Sequence, residues 1–182
     1  MKVYLVGQAG SGKDTAAEAL CREHPTMHIE RITFPIYQLA KDLYGMTAKD
    51  RRLLQLVGDA LRSVDPDCLA NRVARVCEFG DWTCPDVRLP READILRETG
   101  WIGVRVERPA LERREALNQR GEVWGAAAST HHTETECDSV AVDAVVVNDC
   151  SIEEFRQRVL DAVDAINERL WVRSGSHGWG RL

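Results

Sequence analysis

The chain has 182 residues, 44% of them hydrophobic and 29% charged, which is enough for one domain with a substantial core. Its formal net charge of -5 lacks the basic excess that strong, salt-sensitive binding to nucleic acid requires, so DNA and RNA are not expected as partners. Only four apolar residues separate Lys2 from Gly7, too few for a signal peptide or a membrane span. We therefore expect a cytoplasmic protein with no membrane partner, located in the host cytoplasm if it is viral.

The first predicted elements are a strand, a loop and a helix. Val3–Val6 is a short apolar run that ends at a glycine, which is typical of a buried strand. After Lys13 the sequence is rich in alanine and contains no helix breaker before His24-Pro25, which predicts a helix. A glycine-rich loop between a strand and a helix is the setting in which phosphate-binding loops occur.

The next segment is predicted to contain one strand followed by three helices. Apolar residues alternate over His28–Phe34, which predicts a strand, and then recur with helical spacing over Ile36–Tyr44 and Leu53–Val64. A third helix is predicted over Cys68–Phe79 because its apolar residues share one face. Consecutive helices between two strands suggest an insertion that binds an acceptor substrate, at about residues 36–79.

Strands and helices alternate in the second half of the chain. Strands are predicted over Trp82–Val87, Trp101–Val106 and Ala144–Val147, and a helix over Arg91–Thr99 that ends at a glycine. Such alternation indicates a parallel sheet with right-handed crossovers, whose ligands gather at the carboxyl ends of the strands. The predicted fold class is therefore α/β, a parallel sheet flanked by helices, and the glycine-rich loop after the first strand indicates the P-loop NTPase type.

The last helix is predicted from a capping pattern. Ser151 stands three residues before Glu154, and an apolar stripe then runs from Ile152 to Leu170. Glycine and polar residues without periodicity follow, so 173–182 is expected to form a flexible tail. This leaves 1–172 as a single domain.

The strongest motif is GxxxxGK at Gly7–Lys13. Its glycines allow backbone N–H groups to surround phosphates, while the lysine reaches the β- and γ-phosphate oxygens. The next residue is Asp14 instead of the usual serine or threonine, and a hydroxyl follows one position later, at Thr15. Either residue could hold Mg²⁺, Asp14 through a water molecule. The predicted ATP-binding residues are Gly7, Ala9, Gly10, Ser11, Gly12, Lys13, Asp14 and Thr15.

Asp86 and Arg88 form a second candidate constellation. They are spaced i, i+2 at the end of a predicted strand, so both side chains should point the same way, towards the phosphates. Asp86 could hold Mg²⁺ through water or bind an acceptor hydroxyl, and Arg88 could clamp a phosphate with its planar guanidinium.

Arginines form a third feature. Arg105, Arg108, Arg113 and Arg114 cluster near the end of a strand and in polar sequence, part of which we expect to form a lid at about residues 108–138. Such a lid would bring guanidinium groups over the transferred phosphoryl group, and Arg113 is the arginine predicted to act in catalysis. Within the helical insertion, Gln55 and Arg62 are predicted to contact the acceptor.

With these motifs the chain resembles the phage-type deoxynucleoside monophosphate kinases of the P-loop nucleoside monophosphate kinase group. The resemblance rests on the following segments: GQAGSGKDT from Gly7, TFP from Thr33, LLQLVGDALR from Leu53, PDVRLPREA from Pro85, VRVERP from Val104, THHTETECD from Thr130 and VVVND from Val145.

This resemblance implies a sheet flanked by helices, a closing lid, ATP with Mg²⁺, and a deoxynucleoside monophosphate that is converted to the diphosphate. It also implies that Lys13 and its loop bind the ATP phosphates, that Arg62 and Arg88 bind the acceptor phosphate, and that Asp86 contacts the metal or the acceptor. Phe34, in the TFP segment, joins Gln55 as a predicted acceptor contact.

Two alternatives stay open on the sequence. A kinase that acts on a hydroxyl group would need a carboxylate to take the proton, and Asp86 could serve it, so a modified base in DNA or a small metabolite is the alternative acceptor. A phosphate acceptor is already ionised near neutral pH and needs no such base. The other alternative is a nucleotide-binding module without turnover, and self-association into a homodimer is also open.

Overall fold

The computed structural model describes residues 1–121 and 136–175. Within them the strands are β1 Lys2–Val6, β2 Met27–Ile29, β3 Asp81–Cys84, β4 Ile102–Glu107 and β5 Ala144–Val147. The helices are α1 Lys13–Glu23, α2 Phe34–Tyr44, α3 Arg51–Val64, α4 Cys68–Val76, α5 Pro90–Glu98, α6 Ala110–Gln119 and α7 Ile152–Gly175. A short 3-10 helix covers Glu136–Ser139.

The strands form one parallel sheet in the order β2-β3-β1-β4-β5, which confirms the predicted α/β class. The central strand, β1, pairs with β3 on one side and with β4 on the other. Parallel strands end at the same edge of a sheet, so the loops that follow β1 and β3 meet there. The first of these loops carries Gly7–Lys13, and the second carries Asp86 and Arg88.

Helices cover both faces of the sheet, and β1 contributes to both cores. Tyr4 and Val6 pack into a core with residues of α2 to α5, whereas Val3 and Leu5 pack into a core with α1 and α7. All four side chains are 0% exposed. A strand buried on both faces reads as a continuous apolar run, which explains why β1 could be predicted from four residues.

The second strand is shorter than its sequence pattern predicts. Of the predicted run His28–Phe34, only the first two residues lie in β2, and the last one begins α2 with Pro35 in its first turn. The backbone N–H groups of Ile32 and Thr33 donate to the Asp86 carboxylate, at 3.0 Å each, and are therefore not paired with a strand. The alternating pattern predicts that these two N–H groups pair with a neighbouring strand. They bind the side chain of Asp86, in the loop after β3, instead.

The last helix begins as predicted and ends later than predicted. The capping pattern is confirmed, because the Glu154 N–H donates to the Ser151 hydroxyl and the Ser151 N–H donates to the Glu154 carboxylate. The helix then continues past Arg173, where a tail was expected to start, to Gly175, the first residue in that stretch that favours a helix end. The rest of the predicted tail, 176–182, lies outside the described residues.

The three helices predicted between the first and second halves of the sheet are confirmed as α2, α3 and α4. Asp50 caps the start of α3, because its carboxylate accepts a hydrogen bond from the Leu53 N–H at 3.0 Å. α4 ends at Val76, three residues before the predicted end. Across the part of the chain that the structure describes, no helix combines the length and apolar character needed to cross a membrane.

Candidate functional site

The phosphate loop joins β1 to α1, and close contacts require glycine within it. Gly7 and Gly12 have φ angles of 148° and 108°, in the region that favours glycine. A Cβ atom on Gly7 would collide with the Val106 carbonyl oxygen, and one on Gly12 would lie 2.5 Å from Nδ2 of Asn148. α1 begins directly after Gly12, so the free N–H groups of its first turn lie at the loop, as in anion-binding sites.

Lys13, the lysine of the motif, is bonded to its own loop. Its ammonium donates to the carbonyl oxygens of Gly7 and Gln8, at 2.6 and 2.9 Å. The side chain is buried, and burial together with the positive charge of Arg88 lowers its pKa to about 7. A phosphate against the loop would bring negative charge and counteract both effects. The charge on Lys13 therefore depends on what occupies the site.

Asn148 holds the phosphate loop in place from a distant part of the chain. It follows β5, and its Nδ2 donates to the carbonyl oxygen of Ser11 at 2.8 Å. Its own backbone N–H donates to the Glu107 carbonyl at 2.7 Å, which ties it to β4. The Ser11 hydroxyl is buried and has no hydrogen-bond partner among the described residues. Asn148 thus fixes the backbone of Ser11 while that hydroxyl remains available at the loop.

Of the two residues considered for Mg²⁺, Asp14 is the one that faces a cavity between the phosphate loop and the helical insertion. Its Oδ1 accepts a hydrogen bond from Nη2 of Arg31 at 2.7 Å. Mg²⁺ in nucleotide sites is commonly held by one or two carboxylates, by water and by the phosphates themselves. The exposed carboxylate of Asp14, beside the motif lysine, fits that donor set. Thr15 is partly buried and is not among the residues that line the cavity.

Asp86 is 7% exposed, and its carboxylate is surrounded by donors. It accepts hydrogen bonds from the backbone N–H groups of Ile32 and Thr33, from the Thr33 hydroxyl and from the Cys84 thiol. A carboxylate offers about four lone-pair positions, so these donors use its capacity. The geometry makes Asp86 the residue that holds the segment between β2 and α2 against the end of β3.

Arg88 and Arg62 are brought together by Glu92, a residue that the sequence patterns did not single out. Glu92 is 3% exposed; its Oε1 accepts from Nη2 of Arg62 at 2.8 Å, and its Oε2 accepts from the backbone N–H groups of Arg88 and Leu89 at 3.2 Å each. The Nε of Arg62 is buried and has no partner among the described residues. Glu92 therefore orients the Arg62 guanidinium and fixes the backbone at Arg88.

A single cavity of about 460 Å³ joins the phosphate loop to the helical insertion. It contains the predicted acceptor contacts Phe34 and Gln55, and one face of the Phe34 ring lies 5.1 Å from the Arg72 guanidinium carbon. Among the residues that the structure describes, two carboxylates line it, those of Asp14 and Asp86. Eight cationic side chains of the same ranges also line it: Lys13, Arg31, Lys41, Lys49, Arg51, Arg62, Arg88 and Arg120.

The predicted lid arginines are placed differently from the expectation. Arg105 donates to the carbonyl oxygens of Asp138 and Val140, at 2.6 Å each, and thereby holds the segment before β5. Arg113, predicted to be catalytic, donates through Nε to the Arg108 carbonyl within its own region and does not line the cavity. The catalytic role of Arg113 therefore stays a prediction, and the residue of this region that lines the cavity is Arg120, which directly follows α6.

The remaining lid arginines also lie away from the cavity lining. Arg108 pairs with Glu112 at 3.2 Å, and Arg114 is exposed. α6 itself packs over the loop, since a Cβ on Gly10 would lie 2.8 Å from the Arg113 carbonyl oxygen. Most of the predicted lid beyond α6, residues 122–135, lies outside the described residues.

Four residues of the site escaped the sequence patterns: Arg31, Glu92, Arg120 and Asn148. Arg31 sits in a run that was assigned to a strand, and Arg120 follows a helix whose apolar residues form no clear stripe. Glu92 stands in a capping position at the start of α5, which was the only local signal for it.

Comparisons with known proteins agree with this geometry. No protein-family model matches the chain. It is 26% identical over 208 residues to a protein of Acanthamoeba polyphaga mimivirus that is provisionally named a deoxynucleotide monophosphate kinase, covering 89% of this chain and 95% of the relative.

Solved structures share the fold at low sequence identity. A gluconokinase from Sinorhizobium meliloti 1021 has a TM-score of 0.63 at 14% identity, covering 95% of this chain and 97% of the other. An APS kinase from Mycobacterium tuberculosis, in complex with AMPPNP and APS, has a TM-score of 0.58 at 15% identity, with 90% and 96% covered. A deoxyadenosine kinase from M. mycoides, with products dCMP and dCDP bound, has a TM-score of 0.55 at 10% identity, with 91% and 100% covered. The chain has the fold of these P-loop kinases.

Proposed function

We propose that this protein transfers the terminal phosphoryl group of ATP to a deoxynucleoside monophosphate. The observation that carries the proposal is the cavity, which places the phosphate loop and the predicted acceptor contacts on one continuous surface. The similarity to a provisionally named deoxynucleotide monophosphate kinase over 89% of the chain supports the same acceptor class.

The charges of the cavity favour two phosphate-bearing substrates. Eight cations and two carboxylates line it, although the whole chain carries a formal net charge of -5. Cations gathered in one concave site of an acidic protein raise the local concentration of anions and stabilise developing negative charge. Five of the eight are arginines, whose planar fork matches phosphate oxygens.

The environment of Asp86 favours a phosphate acceptor over a hydroxyl acceptor. A kinase for hydroxyl groups benefits from a carboxylate that accepts the proton of the attacking group. Asp86 was the candidate for that role, and four donors of the protein already occupy its carboxylate. A phosphate oxygen needs no such base, because its second pKa is about 6. We therefore assign Asp86 a positioning role, in which it fixes the segment that leads to Phe34.

In the proposed reaction each side of the cavity has its own task. Lys13 and the N–H groups of the loop bind the β- and γ-phosphates of ATP, and Asp14 holds Mg²⁺ through water. When bound, the metal neutralises charge on the β- and γ-phosphates. Arg62, oriented by Glu92, and Arg88, whose backbone N–H donates to Glu92, bind the acceptor phosphate in line with the transferred group. Arg120 approaches from α6 and adds positive charge.

The base of the acceptor is assigned to the Phe34 side of the cavity. Phe34 is 47% exposed, and the Arg72 guanidinium lies over its ring; we assign the exposed part of the ring to stacking on a base. Gln55 offers an amide donor and acceptor to the base edge. A cavity tells bases apart through a few such hydrogen bonds, so the choice of base follows from assays with natural and 5-substituted monophosphates.

The test is a turnover assay with the purified chain, ATP and Mg²⁺. The acceptors are the deoxynucleoside monophosphates, the corresponding nucleosides, oligodeoxynucleotides and small hydroxyl acids. We expect diphosphate to form only from monophosphates, and Lys13→Met to remove most turnover while ATP hydrolysis in the blank stays at background. Turnover of a nucleoside or of a hydroxyl acid, with none of a monophosphate, refutes the acceptor. Binding of ATP without turnover of any acceptor would identify a non-catalytic nucleotide-binding module.

A further inference from the structure

Arg31 and Asp14 form an ion pair where the nucleotide side of the cavity meets the acceptor side. Nη2 of Arg31 lies 2.7 Å from Oδ1 of Asp14, and the two side chains are 41% and 52% exposed. Both line the cavity. Asp14 belongs to α1, directly after the motif lysine, whereas Arg31 belongs to the segment that leads into the acceptor side. The pair therefore bridges the nucleotide side and the acceptor side.

The backbone around Arg31 is fixed, while its guanidinium is not enclosed. The Arg31 N–H donates to the Glu30 carboxylate at 2.9 Å, and the next two N–H groups of the chain donate to Asp86. Glu30 is itself paired with Arg72 at 2.9 Å. These bonds hold the main chain in place, so any change of partner by Arg31 needs only side-chain rotation.

The pair is suited to exchange because it is weak and partly exposed. Measured pairs of this kind contribute about 0.2–1 kcal/mol. Burial acts against the charge of Asp14, but the hydrogen bond and the positive charge of Arg31 outweigh it and lower the pKa of this carboxyl below its usual value. A phosphate offers arginine two charge-assisted hydrogen bonds, which is a stronger interaction than a single bond to a carboxylate.

We propose that Arg31 changes partner during substrate binding: it pairs with Asp14 in the free protein and binds the acceptor phosphate in the ternary complex, which leaves the Asp14 carboxylate to the hydrated Mg²⁺ of the nucleotide. The inference rests on the proposed function, because it needs a phosphate-bearing acceptor in the cavity. It makes the two substrates cooperative, since each one removes a partner from the same ion pair.

The size of the cooperativity follows from the strength of the pair. The first substrate to bind must break the ion pair, at a cost of about 0.2–1 kcal/mol. The second substrate binds when the pair is already broken, so each one binds up to about fivefold more tightly when the other is present. Losing a charge-assisted hydrogen bond to the acceptor phosphate should weaken its binding by roughly tenfold or more.

The experiment is a calorimetric titration, which needs no turnover. The acceptor is whichever of the four common deoxynucleoside monophosphates binds best, and it is titrated into the protein alone and into the protein with Mg²⁺ and a non-hydrolysable ATP analogue. The variants are Arg31→Gln, Arg31→Lys and Asp14→Asn. Arg75→Gln is the control, because Arg75 is exposed on α4 and does not line the cavity.

In the wild type and in the control variant, the analogue with Mg²⁺ should tighten acceptor binding up to fivefold. Arg31→Gln should weaken acceptor binding in the ternary complex about tenfold and remove the cooperativity, while the analogue with Mg²⁺ alone should bind up to about fivefold more tightly, because Asp14 is then released. Asp14→Asn should remove the cooperativity and tighten acceptor binding to the metal-free protein, because Arg31 is then released. Arg31→Lys should keep part of the affinity.

Other outcomes overturn the inference. Unchanged acceptor affinity in Arg31→Gln, with a loss of analogue affinity, would make Arg31 a nucleotide ligand. Equal loss of both affinities together with a lower melting temperature would make it a structural residue. If the wild type binds no deoxynucleoside monophosphate at all, the proposed function fails and takes this inference with it, whereas wild-type binding without cooperativity refutes the inference alone.

Discussion

The charge on Lys13 should change when ATP binds, and the change can be counted in protons. Its pKa is about 7 in the structure because the side chain is buried and lies near Arg88. At pH 8 such a group is about 10% protonated, and at pH 6 about 90%. Phosphates at the loop bring enough negative charge to restore the proton. ATP binding should therefore take up about 0.9 proton at pH 8 and about 0.1 proton at pH 6.

The assay is calorimetry of ATP binding with Mg²⁺ in buffers of different ionisation enthalpy, at pH values from 6 to 9. Lys13→Met is the control, since it retains the titration of ATP itself, and the difference between the two proteins isolates Lys13. The affinity of the wild type should also fall by about tenfold per pH unit above pH 7.5, as long as the bound lysine stays charged. Proton uptake at pH 8 equal in the two proteins would refute the reasoning, because it would mean that Lys13 is already charged in the free protein.

The lowered pKa of Lys13 also makes the free energy of unfolding depend on pH. The pKa of Lys13 falls from 10.5 to about 7 on folding, so below pH 7 the native state must bury a charge that the unfolded state leaves in water. This penalty is fully present below pH 7 and disappears as the pH rises towards 10.5. Lys13→Met should therefore increase the free energy of unfolding at pH 6, and the gain should shrink towards pH 10. A loss of stability at pH 6, measured by urea denaturation, would contradict it.

Three further predictions concern residues around the site. Asn148→Ala should raise the dissociation constant for ATP by about two- to tenfold, because one hydrogen bond to the phosphate loop is lost. The control is Asn71→Ala, at a partly buried position on α4, which should leave the dissociation constant unchanged. Equilibrium binding of ATP measures both. Glu92→Gln should destabilise the fold by about 3 kcal/mol in urea denaturation, since it leaves a buried guanidinium unpaired, and Glu98→Gln, exposed on the same helix, should cost under 0.5 kcal/mol. Phe34→Leu should raise the KM for the acceptor about tenfold and leave the KM for ATP unchanged in steady-state kinetics, because only the stacking surface is removed.

The elements that could be predicted from the sequence are those whose cause is local. β1 is buried on both faces and the start of α7 is capped by Ser151, so neighbouring residues determine both. The phosphate loop was recognisable for the same reason, since its glycines serve the loop's own backbone. The error at β2 arose because the N–H groups of Ile32 and Thr33 bind Asp86, which lies 53 or more residues away.

The residues of the site that were missed depend on contacts between distant segments. Glu92 reaches Arg62 across 30 positions of the chain, and Asn148 reaches Ser11 across 137. An arginine cluster such as that around Arg113 indicates positive charge in a region, but which member faces a cavity depends on how the helix is rotated. α6 has no apolar stripe that would fix this rotation from sequence.

The cations that line the cavity lower the stability of the ligand-free fold, and the same cations are proposed to bind the phosphates of the substrates. Cations held close together repel one another and lose hydration, so Lys13, Arg62 and Arg88 are costly in the empty fold unless paired. Glu92 offsets the cost at Arg62 and Asp14 does so at Arg31, and among the described residues the lining holds more cations than carboxylates. Ligands that bind the native state stabilise it in proportion to the logarithm of their concentration over the dissociation constant. Two phosphate-bearing substrates add negative charge to this cationic lining, and the energy released as they bind is the energy available to align donor and acceptor.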